Sequence, residues 1–134
     1  MQEQKSSINN LALAFLAGII IPGGGYLYLG KKYRGIISFI IVTTFSLIGF
    51  MLLGSYFVPR GELSNPELFG ALKILSVFIE GFNGLVFWIS VFLFSGFQAP
   101  PEFDEIGGTY ILVAGILNIL IIFDNYDIVK GKKS

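Results

Sequence analysis

The sequence contains no cysteine and no histidine among its 134 residues, and only 13% of its residues are charged. Without cysteine there can be no disulfide, no thiolate nucleophile and no iron–sulfur ligation. Without histidine as well, haem iron and most transition metals lose their usual ligands. The sequence therefore predicts a protein with no cofactor and no metal site.

Net charge is absent too, because nine Lys and Arg residues balance nine Asp and Glu residues. A nucleic-acid-binding surface needs a basic excess, so we expect no nucleic-acid partner. Hydrophobic residues make up 54% of the chain, and a domain of this size cannot bury so much apolar surface by itself. The composition predicts an integral membrane protein whose main partners are membrane lipids.

Four apolar stretches approach or exceed the roughly 20 residues that a helix needs to cross a bilayer. They cover residues 11–29, 35–58, 68–97 and 107–123. Strands of a membrane barrel are excluded because the stretches are too long and lack polar alternation. The sequence predicts an all-α, polytopic protein with about four transmembrane helices, forming a single membrane domain over residues 1–134.

The positions of Lys and Arg give two answers for orientation. With four full spans, one side of the membrane collects Lys5, Arg60, Lys73, Lys130, Lys132 and Lys133. That count favours both termini in the cytoplasm, but it places the dense basic loop of residues 31–34 outside. Both basic regions could be cytoplasmic if residues 68–97, interrupted at Gly81 and Gly84, formed a re-entrant hairpin. Four full spans is the favoured arrangement.

The most distinctive local feature is a proline and three glycines inside the first apolar stretch: Pro22, Gly23, Gly24 and Gly25. Proline removes a backbone donor and glycine permits unusual dihedral angles, so the helix should break here. Transporters use such broken helices to hold ions or anionic groups. The favoured alternative is a packing kink at which another helix approaches the glycine backbone, because transporter sites usually combine two breaks and only one is clear.

Three polar residues interrupt the later apolar stretches: Glu80, Asn83 and Asn118. The spacing of Glu80 and Asn83 predicts that both lie on one helical face. A carboxyl group near the middle of a membrane costs roughly 2.5 to 3.5 kcal/mol on insertion scales, so it should face the bundle or a cavity. Glu80 is either a proton or cation site or a structural polar contact, and for Asn118 an interhelical hydrogen bond is the simpler interpretation.

The basic loop supplies candidate contacts for lipid head groups in Lys31, Lys32 and Arg34. The one acidic cluster, Glu102, Asp104 and Glu105, follows a Pro-Pro turn and indicates a solvated loop. No nucleophile and general base are placed together by the sequence. We therefore expect no enzymatic activity and no catalytic residue.

Residues 22–30, which read PGGGYLYLG, and the basic residues 31–35 that follow them resemble the TM-two domain group and related small bacterial membrane proteins. Residues 114–118 and 124–132 are similar to the closing part of one such uncharacterised bacterial family. The two blocks cover about a third of the chain. The resemblance implies a fold, a bacterial origin and a multi-pass protein of the cytoplasmic membrane, without an assigned activity.

Three functions follow as hypotheses. The first is a non-enzymatic accessory or assembly subunit of a membrane complex, with a protein partner or self-association through small residues such as Ala14 and Gly18. The second is a small transporter or ion-conducting oligomer that uses the broken first helix and Glu80. The third is a lipid-active enzyme. The accessory subunit is the leading hypothesis at this point.

Overall fold

The computed structural model describes residues 2–53, 66–94 and 101–132, with the side chains of residues 9–52, 70–93, 103 and 106–132. This part of the chain forms helices α1 (Gln2–Ile20), α2 (Gly24–Tyr28), α3 (Lys32–Leu53), α4 (Pro66–Gly81), α5 (Leu85–Phe94) and α6 (Pro101–Val129). No strand occurs in it. The prediction of an all-α protein is confirmed.

The two longest helices, α3 and α6, make the most extensive helix–helix contact in the described part of the chain. Each contains an apolar stretch long enough to cross a membrane, Lys32–Leu52 in α3 and Ile106–Val129 in α6. They run antiparallel, because Gly49 near the end of α3 faces Ile111 in the first half of α6, while Ser38 early in α3 and Asp124 late in α6 border the same groove. A Cβ at Gly49 would lie 3.0 Å from the backbone nitrogen of Ile111, so the glycine allows the close approach that membrane helices use for packing.

Helix α2 reverses the direction of α1 and lies against it. Gly25 in α2 faces the carbonyl oxygen of Ala14, at 2.7 Å from a Cβ built on the glycine. Tyr28 at the end of α2 donates a hydrogen bond to Asn10 near the start of the apolar part of α1. That part, Asn9–Ile20, is shorter than a span. The residues predicted as the first span therefore form a helical hairpin.

Helices α4 and α5 are also joined by a sharp change of direction, with 108° between them. Ile79 of α4 packs against Gly115 of α6, and Phe87 of α5 packs against Phe50 of α3 with ring centroids 5.8 Å apart. Phe50, Phe87 and Ile111 form a buried apolar cluster. The pair α4–α5 is either one broken span or a re-entrant segment.

The described residues thus contain two helices that could span a membrane, or three if α4 and α5 form one span. The prediction of four full spans is not confirmed. Helix α6 is longer than the predicted stretch 107–123, and α3 begins before residue 35. Residues 54–58 and 95–97 of the predicted spans, and Arg60 and Lys133 of the orientation count, lie outside the described residues.

Candidate functional site

The first helix break lies where Ile21, Pro22 and Gly23 separate α1 from α2. Because proline has no N–H, the carbonyl of Gly18 cannot receive the helical hydrogen bond that residue 22 would otherwise donate. Gly23 has a φ of 74°, a left-handed conformation that glycine adopts without a steric penalty. A Cβ at Gly23 would lie 2.5 Å from the carbonyl oxygen of Gly35. The chain breaks where the sequence predicts.

The second break lies between α4 and α5, in the turn of residues 82–84. Gly84 turns the chain with a φ of 70°. Gly81 has no positive φ, and nothing lies within 4 Å of a Cβ built on it. Of the two glycines at which the sequence suggested an interruption, Gly84 is therefore the one that the turn requires.

The two breaks contact each other directly. A Cβ on Gly84 would lie 2.5 Å from the carbonyl oxygen of Ile20, at the end of α1. The Asn118 amide nitrogen donates one hydrogen bond to the carbonyl of Gly18, at 2.9 Å, and another to that of Phe82, at 2.6 Å. Asn118 thus bonds one carbonyl from each break, and it supplies Gly18 with the donor that the proline cannot provide.

We call this meeting point the junction; it comprises residues 18–23, residues 80–84 and Asn118. Asn118 is fully buried and lies near the middle of the apolar stretch Ile106–Val129. At 1.5 Å per helical residue, it is about 17 Å from either end of that stretch. If α6 crosses a bilayer, the junction lies at the depth at which exposed polar groups are most costly.

Asn83 ties the second break to both long helices. Its amide nitrogen donates to the carbonyl oxygens of Glu80 and Ile111, at 2.9 and 3.0 Å, and its amide oxygen accepts a hydrogen bond from the Ser46 hydroxyl at 2.9 Å. Asn83 lies in the turn that follows α4. It therefore does not share a helical face with Glu80 as predicted, because the helix ends at Gly81 and the Asn83 side chain folds back over that end.

Glu80 occupies the last turn of α4, and its side chain is fully buried at the junction. The C-terminal ends of α1 and α4 both point here, and the dipole of a helix places partial negative charge at its C-terminus. The two helix ends thus place partial negative charge beside this turn, and that charge attracts a positive one.

The junction brings together Pro22, Gly23, Glu80, Asn83 and Asn118 from the set of residues that the sequence singled out. Gly24 and Gly25 do not belong to it. Both lie in α2, where they allow close packing against α1, and Gly25 also faces the side chain of Asn125.

The predicted head-group contacts lie away from the junction. Lys31, Lys32 and Arg34 follow the end of α2 and begin α3. Lys32 and Arg34 are exposed, and Lys31 is half-buried.

Three polar residues, two of them buried and one half-buried, were not singled out from the sequence. Ser46 is fully buried as a hydrogen-bond donor to Asn83. Asn125 is 1% exposed. Asp124 accepts a hydrogen bond from Tyr26, 98 residues earlier in the chain. Ser46 carried only a weak signal, because the mainly apolar stretch 35–58 also contains Ser38, Thr43, Thr44 and Ser55. The link between Tyr26 and Asp124 leaves no sequence pattern at all, because the two residues are so far apart in the chain.

These features define a small all-helical protein with apolar helices suited to a membrane and two interrupted helical segments that meet inside it. The chain matches a family of unknown function, DUF6677, over residues 13–134, and it belongs to that family. Neither a comparison with curated proteins nor one with solved structures gives a match. The membership confirms an uncharacterised family, while the resemblance to the TM-two domain group and the bacterial origin stay predictions.

Proposed function

We propose that this protein transfers protons across a membrane, with Glu80 as the residue that takes up and releases the proton. The observation that supports this function is the meeting of two helix breaks, one of which directly follows the helical turn that carries the buried Glu80 side chain. Transporters hold coupling ions near the middle of the bilayer, where interrupted helices present backbone carbonyls and C-terminal ends. The sequence offered one clear break, and the second, at residues 82–84, is the one that a transporter site would require.

A proton suits the junction better than a metal cation. Among the described residues, Glu80 is the only buried side chain with a formal charge, and no group of three or more Asp, Glu, His or Cys residues could hold a metal ion. Divalent cations take about six oxygen ligands, whereas one carboxyl group accepts a proton without further ligands. Asn83 and Asn118 then have the role of holding the two chain breaks in place around Glu80.

We further infer that the chain crosses the membrane twice, by α3 and α6. The neighbours of Gly25 and Gly18 indicate that α1 runs from the Asn125 end of α6 toward Asn118 in the middle of α6. Helix α2 then returns to the Asn125 end. Helix α5 runs from Ser46 toward Phe50, near the end of α3. The chain changes direction by 108° between α4 and α5. Because this change exceeds 90°, α4 approaches the turn from the Phe50 end of α3. The two broken segments would enter from opposite faces.

This arrangement accounts for the basic residues better than four spans do. The loop of residues 31–34 and the basic residues 130 and 132 then share one membrane face, and the acidic residues at the start of α6 lie at the other. Short basic segments beside membrane spans face the cytoplasm. We therefore place residues 31 and 130 in the cytoplasm of a multi-pass membrane protein.

Proton flux into liposomes tests the proposal. Purified protein is reconstituted with a pH-sensitive dye inside the vesicles, and an outward potassium gradient with valinomycin drives proton entry. We expect the internal pH to fall faster than in protein-free vesicles. Glu80→Gln should return the rate to that of protein-free vesicles, because glutamine cannot exchange a proton at this pH.

The matched control is Ser76→Ala, which changes a buried residue one turn before Glu80 whose hydroxyl donates only within α4, to the carbonyl of Leu72. It should conduct like the unaltered protein, and size-exclusion profiles check that both variants fold. Equal rates in the Glu80→Gln variant and the unaltered protein would contradict the proposal. So would flux of Na⁺ or K⁺ without any proton flux, which would reassign the ion.

An accessory or assembly subunit is the second candidate, and it also involves no enzymatic activity. Exposed aromatic side chains on α5 favour it: Trp88 is 61% and Phe92 83% exposed, and this surface could pack against another membrane protein or a second copy. The small residues Ala14 and Gly18 are both buried against this chain's own helices, so they no longer support it. Native sizing after mild-detergent extraction tests it; migration as a lone monomer would count against it.

A lipid-active enzyme is the third candidate. Head-group contacts by Lys31, Lys32 and Arg34 would be needed to hold its substrate at the membrane face. Lack of turnover with native lipid extracts would remove it.

A further inference from the structure

A groove opens between α2, α3 and α6, at the end of the molecule opposite the acidic start of α6. Its volume is about 390 Å³, within the roughly 300 to 1,000 Å³ of typical ligand pockets. Most of its wall is apolar and comes from the two long helices, through residues such as Val42, Leu117 and Ile121. It is distinct from the junction, since none of Glu80, Asn83 or Asn118 lines it.

One end of the groove is polar. The Tyr26 hydroxyl donates a hydrogen bond of 2.5 Å to Asp124 Oδ2, and both residues line the groove together with Ser38. Tyr26 is buried, while Asp124 is half-buried and therefore partly accessible. A carboxylate has about four acceptor positions, so a partly accessible one at the end of an apolar groove can accept a further hydrogen bond from an ammonium group.

A positive charge lies one helical turn from the groove wall. Arg34 precedes Ser38, which lines the groove, by four residues in α3, so the two share a helix face, and the Arg34 side chain is exposed. The guanidinium group is well suited to bind a phosphate through two parallel hydrogen bonds. A carboxylate that lines the groove and a guanidinium on the adjoining turn of α3 thus lie at the same end of an apolar surface that continues toward the middle of the molecule.

We propose that this groove binds a phospholipid with a primary-amine head group, of the phosphatidylethanolamine type. Its ammonium group contacts Asp124, its phosphate contacts Arg34, and an acyl chain lies along Val42, Leu117 and Ile121. The complementarity is both of charge and of polarity: a zwitterion faces two opposite charges, and a hydrocarbon chain faces an apolar wall. An anionic lipid without the amine would place no positive charge against Asp124.

Competition between lipids in native mass spectrometry tests the proposal. The full chain is equilibrated with equal amounts of phosphatidylethanolamine and phosphatidylglycerol that carry the same acyl chains. We expect preferential retention of phosphatidylethanolamine. Asp124→Asn should weaken that retention about tenfold, the loss of one hydrogen bond to a charged group, and Arg34→Gln should weaken retention of both lipids.

The matched control is Asp127→Asn, three residues further along α6, where the carboxylate faces Lys132 at 4.0 Å and does not line the groove. It should leave the preference unchanged. Equal retention of the two lipids by the unaltered protein would overturn the proposal, as would an equal effect of Asp124→Asn and Asp127→Asn. If Asp124→Asn does not fold, Tyr26→Phe replaces it: this change leaves the carboxylate in place, so the preference for the amine lipid should persist, and its loss would overturn the proposal.

Discussion

Asn118 holds the two helix breaks together through a single amide nitrogen. Its hydrogen bonds reach Gly18 in one break and Phe82 in the other. In water a carbonyl freed by a proline would bind solvent, but in a membrane interior it needs a protein donor. An asparagine in the middle of an apolar helix is thus explained by two breaks that lie elsewhere in the chain.

We expect Asn118→Ala to destabilise the protein by about 1 to 3 kcal/mol, because two buried carbonyls lose their donor. Thermal unfolding in detergent would measure this as a lower midpoint. Ser76→Ala is the control, since its hydroxyl only adds a bond within its own helix turn and such bonds do not strengthen a helix. A midpoint for Asn118→Ala as high as that of the control would contradict the role of the amide.

Individual polar residues in apolar surroundings could be identified from the sequence. Glu80, Asn83 and Asn118 stand out in apolar stretches, and all three are buried at the junction. Their partners could not be predicted, because Asn118 bonds to a carbonyl 100 residues away and backbone acceptors carry no side-chain signal. Asn125 was missed because its neighbours in sequence are charged or exposed, although its own side chain is buried.

The helices differ from the predicted spans because the chain changes direction within two of those spans. Hydrophobic length shows that residues 11–29 could cross a bilayer, but it carries no information on whether the chain continues forward or turns back. Pro22 and Gly23 turn it back, and α2 then lies along α1. The helical character of these stretches was therefore predictable. The number of crossings was not, because it depends on the dihedral angles at Gly23 and Gly84.

Gly84→Ala should destabilise the molecule more than any other single glycine-to-alanine change in α4, α5 and their turn. The added Cβ meets the Ile20 carbonyl oxygen at 2.5 Å, and the residue must keep a φ of 70°. Left-handed backbone alone costs roughly 1 to 2 kcal/mol for a residue with a Cβ, and the backbone clash adds to it. Thermal unfolding measures the loss, and the junction should separate.

Two other glycines separate these contributions. Gly81→Ala adds a Cβ in open space at ordinary φ, so its midpoint should match that of the unaltered protein; Gly131→Ala has a φ of 70° but no neighbour within 4 Å, so it reports the backbone penalty alone. Gly84→Ala should exceed Gly131→Ala. Equal losses would mean that α1 does not pack against this turn.

For the whole molecule, the conflict between the two basic regions disappears in the proposed arrangement, in which α4 and α5 return to the membrane face from which they enter. With four spans, the loop of residues 31–34 and the basic residues 130 and 132 face opposite sides. In the structure both basic regions lie near the Tyr26–Asp124 contact. The backbone N–H of Lys31 donates to the Tyr26 carbonyl. The Lys130 Nζ lies 5.7 Å from the ring centroid of Tyr126, two residues after Asp124. Charge counting gave two answers because the side on which each basic region lies depends on the number of crossings.

The proposed placement of residues 31 and 130 on one membrane face and of the start of α6 on the other is tested most directly by single-cysteine labelling. The chain has no cysteine, so Lys31→Cys, Lys130→Cys and Glu102→Cys each introduce one thiol into an unlabelled background. With a membrane-impermeant maleimide added outside intact cells, we predict that Glu102→Cys labels while Lys31→Cys and Lys130→Cys label only after permeabilisation. Labelling of Lys31→Cys and Lys130→Cys from opposite sides would contradict the arrangement.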